Sequence, residues 1–234
     1  MDQLTPQLMH KLVFTVLMHG LNDAQTNLAF KVLTDALEHP NLQIRELAVV
    51  ALADLPVSAP KRVAALSFAL EDDSAKVRRR AARALGDHGP AAQPALTLLG
   101  QGLRDVDASV RRDCAGAIGR LGSIAQSIAG LLLPLLIEPD TRTRAVAAVT
   151  LQRIGKGAVP ALLEGVSSPV AELRGRCAML LAKIAPNDEH VAEVLRQVLT
   201  DEDEEVRARA DEALQFVSTP PPVTLPSRIA DSIV

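Results

Sequence analysis

The residues best suited to acid–base, metal or nucleophilic chemistry in this sequence are its histidines and cysteines. The five histidines are scattered, at positions 10, 19, 39, 88 and 190. A metal site requires several such ligands at close spacing, as in HExxH or CxxC, and neither pattern occurs. Walker, GxGxxG and GxSxG motifs are also missing. The sequence therefore predicts no catalytic residue, no metal site and no cofactor.

Guanidinium and carboxylate groups, by contrast, recur at a fixed spacing. Six arginines follow one another at intervals of 33, 33, 33, 30 and 33 residues: Arg45, Arg78, Arg111, Arg144, Arg174 and Arg207. Acidic residues stand six or four positions before several of them, at Asp72, Asp105, Asp107, Glu138, Asp140, Asp201 and Asp203. A guanidinium can bind a carboxylate through two parallel hydrogen bonds. We therefore predict a structural ladder of ion pairs along an array of repeats.

Each arginine lies within a longer repeated helical pattern. A small residue follows it after three positions, and a leucine or isoleucine follows after seven, so both lie on one helix face. Five of the six repeats place a good N-cap residue four positions before the arginine. In the shortened repeat, Ser168 and Pro169 are predicted to supply the cap and a first-turn proline. Gly89, Gly122 and Gly155 are expected to end their helices.

A second apolar stripe precedes each of these helices, so the repeating unit is a helix hairpin. The sequence predicts an all-α fold, an α-solenoid in which antiparallel hairpins stack into a right-handed superhelix. The solenoid is expected to span residues 1–217, with residues 1–20 as an N-terminal capping helix and 218–234 as a proline-rich tail. The six repeats are expected near residues 28–55, 59–88, 92–121, 125–154, 158–185 and 188–217.

Composition narrows the class of protein. Hydrophobic residues make up 48%, with four Phe and no Trp or Tyr, so small side chains should let helices approach closely. Cys114 and Cys177 occupy a repeat position that is otherwise alanine, and both are predicted to be buried core residues. A net charge of −3 disfavours nucleic-acid binding. No apolar run was judged to approach the roughly 18 residues of a membrane span, and no signal peptide is evident, so we expect a cytoplasmic protein.

Five segments of the repeats resemble the HEAT-repeat family, in particular the short bacterial repeats named after phycobilisome lyases. The second-helix segments are VRRRAARALGDHG, VRRDCAGAIGRLG and VRARADEALQFV, and the first-helix segments are AAQPALTLLGQGL and GAVPALLEGV. The resemblance covers about four-fifths of the chain. It implies a HEAT-like solenoid whose second helices line a concave surface that binds partners.

The resemblance implies a set of candidate partner-binding residues on the second helices. They are Arg79, Arg80, Arg83, Arg112, Arg120, Arg153, Arg176, Met179, Lys183 and Arg209. Because this set is basic, an acidic segment of another protein is one expected partner; the alternative is an ordinary solvated helix face. The predicted function is a non-enzymatic protein–protein interaction scaffold or adaptor. The alternative function is that of a phycobilin lyase-like enzyme or enzyme subunit, which handles a tetrapyrrole chromophore.

The tail, STPPPVTLPSRIADSIV, begins with a proline run typical of a polyproline II spacer. Ser227 is placed to cap a short helix in which Ile229 and Ile233 share a face. Three interpretations stay open. The tail is a strap over the last repeat, a tethered anchor for a second partner, or a Ser-x-Val ligand for a PDZ domain.

Overall fold

The computed structural model describes residues 5–18 and 21–218, and within them the chain is all-α, without β-strands. Twelve α-helices are described: α1 (Pro6–Met18), α2 (Asp23–Ala36), α3 (Leu42–Asp54), α4 (Ala59–Phe68), α5 (Ala75–Asp87), α6 (Leu96–Gly102), α7 (Ala108–Leu121), α8 (Thr141–Ile154), α9 (Val159–Gly165), α10 (Ala171–Ile184), α11 (Glu189–Val198) and α12 (Glu204–Ser218). The prediction of an all-α solenoid is confirmed. The tail from residue 219 onward lies outside the described residues.

The chain forms two compact units, Met1–Ala161 and Leu162–Val234, with the boundary inside α9. In the first unit, α5 packs against α3 and α7, and α7 packs against α8. In the second unit, α12 packs against α10 and α11. The second helices, which carry the arginines that recur, are α3, α5, α7 and α8 in the first unit and α10 and α12 in the second. Their outer face is called the second-helix surface below.

The core is built from the two repeated apolar positions of the second helices. The residues three positions after each arginine are fully buried: Ala48, Ala81, Cys114, Ala147, Cys177 and Ala210. The first five residues at the seventh position are also fully buried: Leu52, Leu85, Ile118, Leu151 and Leu181. Both cysteines are free thiols, and burial raises the pKa of each to about 12. Both are core residues, as the sequence predicted.

Glycines allow neighbouring second helices of the first unit to approach closely. A Cβ atom at Gly86 of α5 would lie 2.9 Å from the Cα atom of Ala117 in α7. A Cβ atom at Gly119 of α7 would lie 2.8 Å from the hydroxyl of Thr150 in α8. Both separations are shorter than carbon atoms tolerate, so each glycine sets the distance between two helices.

Glycines also end three second helices. Gly89, Gly122 and Gly155 have φ angles of 53°, 60° and 71°, a region that favours glycine. The chain after each one continues in 3₁₀ rather than α conformation, in the segments Gly89–Ala95, Gly122–Ile137 and Gly155–Ala158. The predicted helix ends are confirmed.

The predicted cap of the shortened repeat is wrong. The N-cap of α10 is Val170, without a side-chain cap bond, and Ser168 accepts a hydrogen bond from the Val170 N–H at 3.2 Å. Pro169 therefore precedes the helix. The reason is that Arg174 donates to the carbonyls of Ser168 and Pro169, which holds these two residues in the turn.

One described stretch, Ala108–Ile137, is long and apolar enough to cross a membrane by length and composition. The sequence reasoning missed it, although residues 121–137 carry no charge. Gly122 divides the stretch into α7 and a 3₁₀ segment. Because Ile118 and Leu132 within it are fully buried, it serves as core of the first unit.

Candidate protein-binding surface

Each of the six recurring arginines first binds the turn of its own repeat. The Nη1 atom of Arg111, for example, donates to the carbonyl oxygens of Asp105 at 2.7 Å and Val106 at 3.2 Å. The same two bonds, to the residues six and five positions earlier, are made by Arg45, Arg78, Arg144, Arg174 and Arg207. Each arginine therefore satisfies two carbonyls that the turn leaves unpaired.

Four arginines use the other edge of the guanidinium to bind the following repeat. Their Nε and Nη2 atoms donate to both oxygens of a carboxylate 27 residues later, in the pairs Arg45–Asp72, Arg78–Asp105, Arg111–Glu138 and Arg174–Asp201. In the Arg111–Glu138 pair the two distances are 2.6 and 2.7 Å. This bidentate geometry is the strongest form of such a pair. We call each of these pairs a rung.

Three carboxylates predicted for the ladder have a different role. Asp107, Asp140 and Asp203 accept backbone N–H bonds from the first turn of α7, α8 and α12. They are N-caps, because a residue four positions before the arginine lies at the start of the same helix. Only the residue six positions before it reaches the arginine of the preceding repeat.

Two arginines have no rung carboxylate among the described residues of their own unit. Arg144 donates to the turn carbonyls of Glu138 and Pro139, and to the hydroxyl of Thr141. The sequence has Ser168 where other repeats have an acid. Arg207, in the last described helix, donates to the turn carbonyls alone.

The ion pairs lower the pKa of the turn carboxylates. Burial alone raises the pKa of Asp105, but hydrogen bonds from Arg78 and from the Asp107 N–H outweigh it, so the net pKa is lowered. The hydrogen bond from Arg174 lowers the pKa of Asp201. The Thr143 hydroxyl, together with backbone N–H groups and Arg112, lowers the pKa of Asp140 to about 2.

These shifts predict a loss of stability in acid. A carboxyl group with a lower pKa in the folded state stabilises the fold above its unfolded pKa of about 3.9, and this contribution is lost as the pH falls through the folded value. We expect the free energy of unfolding, measured with urea, to fall between about pH 4 and pH 2. Asp105→Asn should flatten this decline, and a pH-independent free energy over that range would contradict the account.

The predicted partner-binding residues of the first unit are mostly paired with carboxylates on other second helices. The pairs are Arg79–Asp113 (2.9 Å), Arg83–Asp113 (3.1 Å), Arg80–Glu46 (3.0 Å), Arg112–Asp140 (3.1 Å) and Arg120–Asp87 (3.7 Å). Arg153 is exposed. The second-helix surface of the first unit is therefore a row of alternating charges rather than a uniform basic stripe.

The predicted residues of the second unit are paired within their own helices. Arg176 binds Glu172 at 2.7 Å, and Arg209 binds Glu205. Lys183 is exposed and Met179 is half-buried. These i,i+4 pairs lie along one helix and contribute little to stability.

Sequence reasoning missed the acidic half of the surface. Asp113 and Glu46 were not singled out, because their partners lie 34 residues away and only the fold brings them together. Asp113 serves both Arg79 and Arg83, which leaves one positive charge in excess. The Arg83 side chain is 57% exposed. No group of three or more His, Cys, Asp or Glu suited to a metal occurs among the described residues.

Comparison with known proteins gives the family and the fold. The family model described as HEAT repeats matches residues 63–151, 96–182 and 128–215. No match was found among curated proteins. Importin beta in a crystal structure is similar with a TM-score of 0.68 and 13% identity, over 91% of this chain and 33% of that chain.

Two further solved structures are similar at low identity. An engineered protein has a TM-score of 0.55 and 22% identity, over 90% of this chain and 68% of that one. The complex of CpcE and CpcF of phycocyanin lyase from Nostoc sp. PCC7120 has a TM-score of 0.49 and 19% identity, over 92% of this chain and 95% of that one. At these identities, likeness concerns the fold alone.

Proposed function

Because this chain belongs to the HEAT-repeat family, we propose that it is a non-enzymatic scaffold or adaptor that binds another protein. The binding site is the second-helix surface of the first unit. Repeat arrays of this kind expose successive copies of one helix face, which suits them to extended contacts. We also propose a cytoplasmic location, which the free state of both cysteines supports.

The observation that carries this proposal is the charge imbalance around Asp113. Two guanidinium groups, those of Arg79 and Arg83, share its one carboxylate. Arg79 makes the tighter bond, at 2.9 Å, and the more exposed Arg83 lies 3.1 Å away. An incoming carboxylate can therefore bind Arg83 without leaving Asp113 unpaired.

The same imbalance specifies the chemistry of the partner. Exposed ion pairs are worth little and exchange readily, so Arg83 and the half-exposed Arg80 are available to an acidic segment. Such a segment would be steered by the excess positive charge and held in register by the alternating row. The affinity should therefore fall as the salt concentration rises.

The test is a charge reversal at Arg83 with a matched control. The partner is first identified by crosslinking in the native host, and its affinity for purified variants is then measured. We expect Arg83→Glu to weaken binding about tenfold, or roughly 1.4 kcal/mol, and Arg83→Gln to weaken it less. Asp113 keeps Arg79 in both variants, so the fold is preserved.

Arg196→Glu is the control, because Arg196 is 61% exposed and lies on α11, away from the second helices. It makes the same change in net charge and should leave the affinity within about twofold. Equal affinities of the wild type and Arg83→Glu would contradict the proposed surface.

A further inference from the structure

The last recurring arginine has an open carboxylate-binding edge. Arg207 Nη1 donates to the carbonyls of Asp201 at 2.7 Å and Glu202 at 2.9 Å, as in every other repeat. Because the guanidinium is planar, these two bonds also fix the direction of Nε and Nη2. In the four rungs that edge binds a carboxylate, whereas for Arg207 it has no acceptor among the residues that the structure describes.

The helix that carries Arg207 also leaves apolar side chains uncovered. Leu214 is only half-buried, although its counterparts in the other five repeats are fully buried. Phe216 is 46% exposed on the same helix, and Leu199 is 36% exposed at the preceding turn. This end of the second unit therefore offers a guanidinium edge beside an apolar patch.

The segment that follows α12 repeats the pattern that precedes every arginine turn. Six positions before the residue whose carbonyl accepts the first bond from arginine, each repeat has a fully buried leucine: Leu33, Leu66, Leu99, Leu132, Leu162 and Leu195. Two positions before that residue stands Leu37, Leu70, Leu103, Leu136, Val166 or Leu199. Leu225, Ile229 and Asp231 have the same spacing, and Asp231 occupies the position of the rung carboxylates.

The chain length also fits. Asp231 follows Arg207 by 24 residues, as Ser168 follows Arg144 in the shortened repeat. In a helix, the six residues from Leu225 to Asp231 span about 9 Å, close to the roughly 10 Å from Leu214 back to Arg207 along α12. Pro226 would fall in the first turn, where the lack of an N–H costs little.

We propose that residues 225–231 form the first helix of a further, incomplete repeat that closes the end of the second unit. They lie antiparallel to α12, with the Asp231 carboxylate on the Nε and Nη2 atoms of Arg207. Leu225 and Ile229 cover Leu214. Asp231 is the sole acidic residue in segment 219–234, so the occupant of the Arg207 edge is specific. This inference is independent of the proposed partner surface.

Hydrogen exchange of the full-length protein, followed by mass spectrometry, tests the proposal. We expect amides in 225–231 to exchange at least about tenfold more slowly than in an unstructured chain, because a docked helix protects them. Asp231→Asn and Arg207→Lys should each abolish most of this protection. The lysine keeps the positive charge but lacks the second donor edge. The double variant should be no less protected than either single variant, because both remove the same contact.

Arg228→Gln is the matched control, since it changes a charge in the same segment at a position outside the pattern. It should leave the exchange rates unchanged. Unprotected amides in the wild type, or equal protection in Asp231→Asn, would overturn the proposal. Protection that falls on dilution would also overturn it, because the Arg207 edge would then be occupied by the segment of a second copy.

Discussion

Arg111→Ala is expected to lower the free energy of unfolding by about 3–5 kcal/mol, the range for breaking a buried ion pair from one side. The substitution leaves the Glu138 carboxylate, which is 17% exposed, without its bidentate partner. It also leaves the carbonyls of Asp105 and Val106 without the Nη1 donor. Urea unfolding followed by circular dichroism measures the change.

The control for Arg111→Ala is Arg196→Ala. Arg196 pairs with Glu193 at 2.9 Å, but both side chains are more than half exposed. Removing this pair should change the free energy by less than about 0.5 kcal/mol. If the two variants lose the same amount, the arginines of the ladder are ordinary surface charges and the account is wrong.

Gly86→Ala is expected to destabilise the first unit by about 1–3 kcal/mol, although alanine favours helix by about 1 kcal/mol. The new methyl group would lie 2.9 Å from the Cα atom of Ala117 and 2.7 Å from Arg120 Nη1. The arginine can move, whereas the backbone of α7 cannot move without separating the two helices. The melting temperature and the urea midpoint should both fall.

Gly116→Ala, in the middle of α7, is the matched control. Its methyl group would have its nearest contact at 3.9 Å, with Val146 Cγ1, which is an ordinary distance. It should therefore gain up to about 1 kcal/mol from helix propensity. Two variants with the same sign of effect would contradict the close approach of α5 and α7.

The fold was predictable because the repeat itself encodes it. The interval of the arginines, the buried leucine seven positions later and glycines such as Gly122 each report a local requirement of one helix. Agreement among several copies makes that signal strong. The bond from arginine Nη1 to the turn was not predicted, because its acceptors are backbone carbonyls, which no side-chain pattern reveals.

The pairing of side chains between repeats was only partly predictable. The carboxylates six positions before an arginine form rungs, but Asp107 caps its own helix, because a difference of two positions changes which repeat the side chain faces. Likewise, a list of helix-surface arginines contained Arg80 but not its partner Glu46, 34 residues earlier. Such pairs depend on how neighbouring helices are aligned, and this alignment is a property of packing.

A double-mutant cycle on the Arg78–Asp105 rung tests the central claim that these arginines join successive repeats. Both side chains are largely buried, at 13% and 11% exposure, and the Nε–Oδ2 distance is 2.6 Å. The cycle compares Arg78→Gln, Asp105→Asn and the double variant by urea unfolding. We predict a coupling energy of about 1.5–3 kcal/mol. A coupling energy near zero would show that the rung contributes nothing to the contact between the repeats, and would contradict the account.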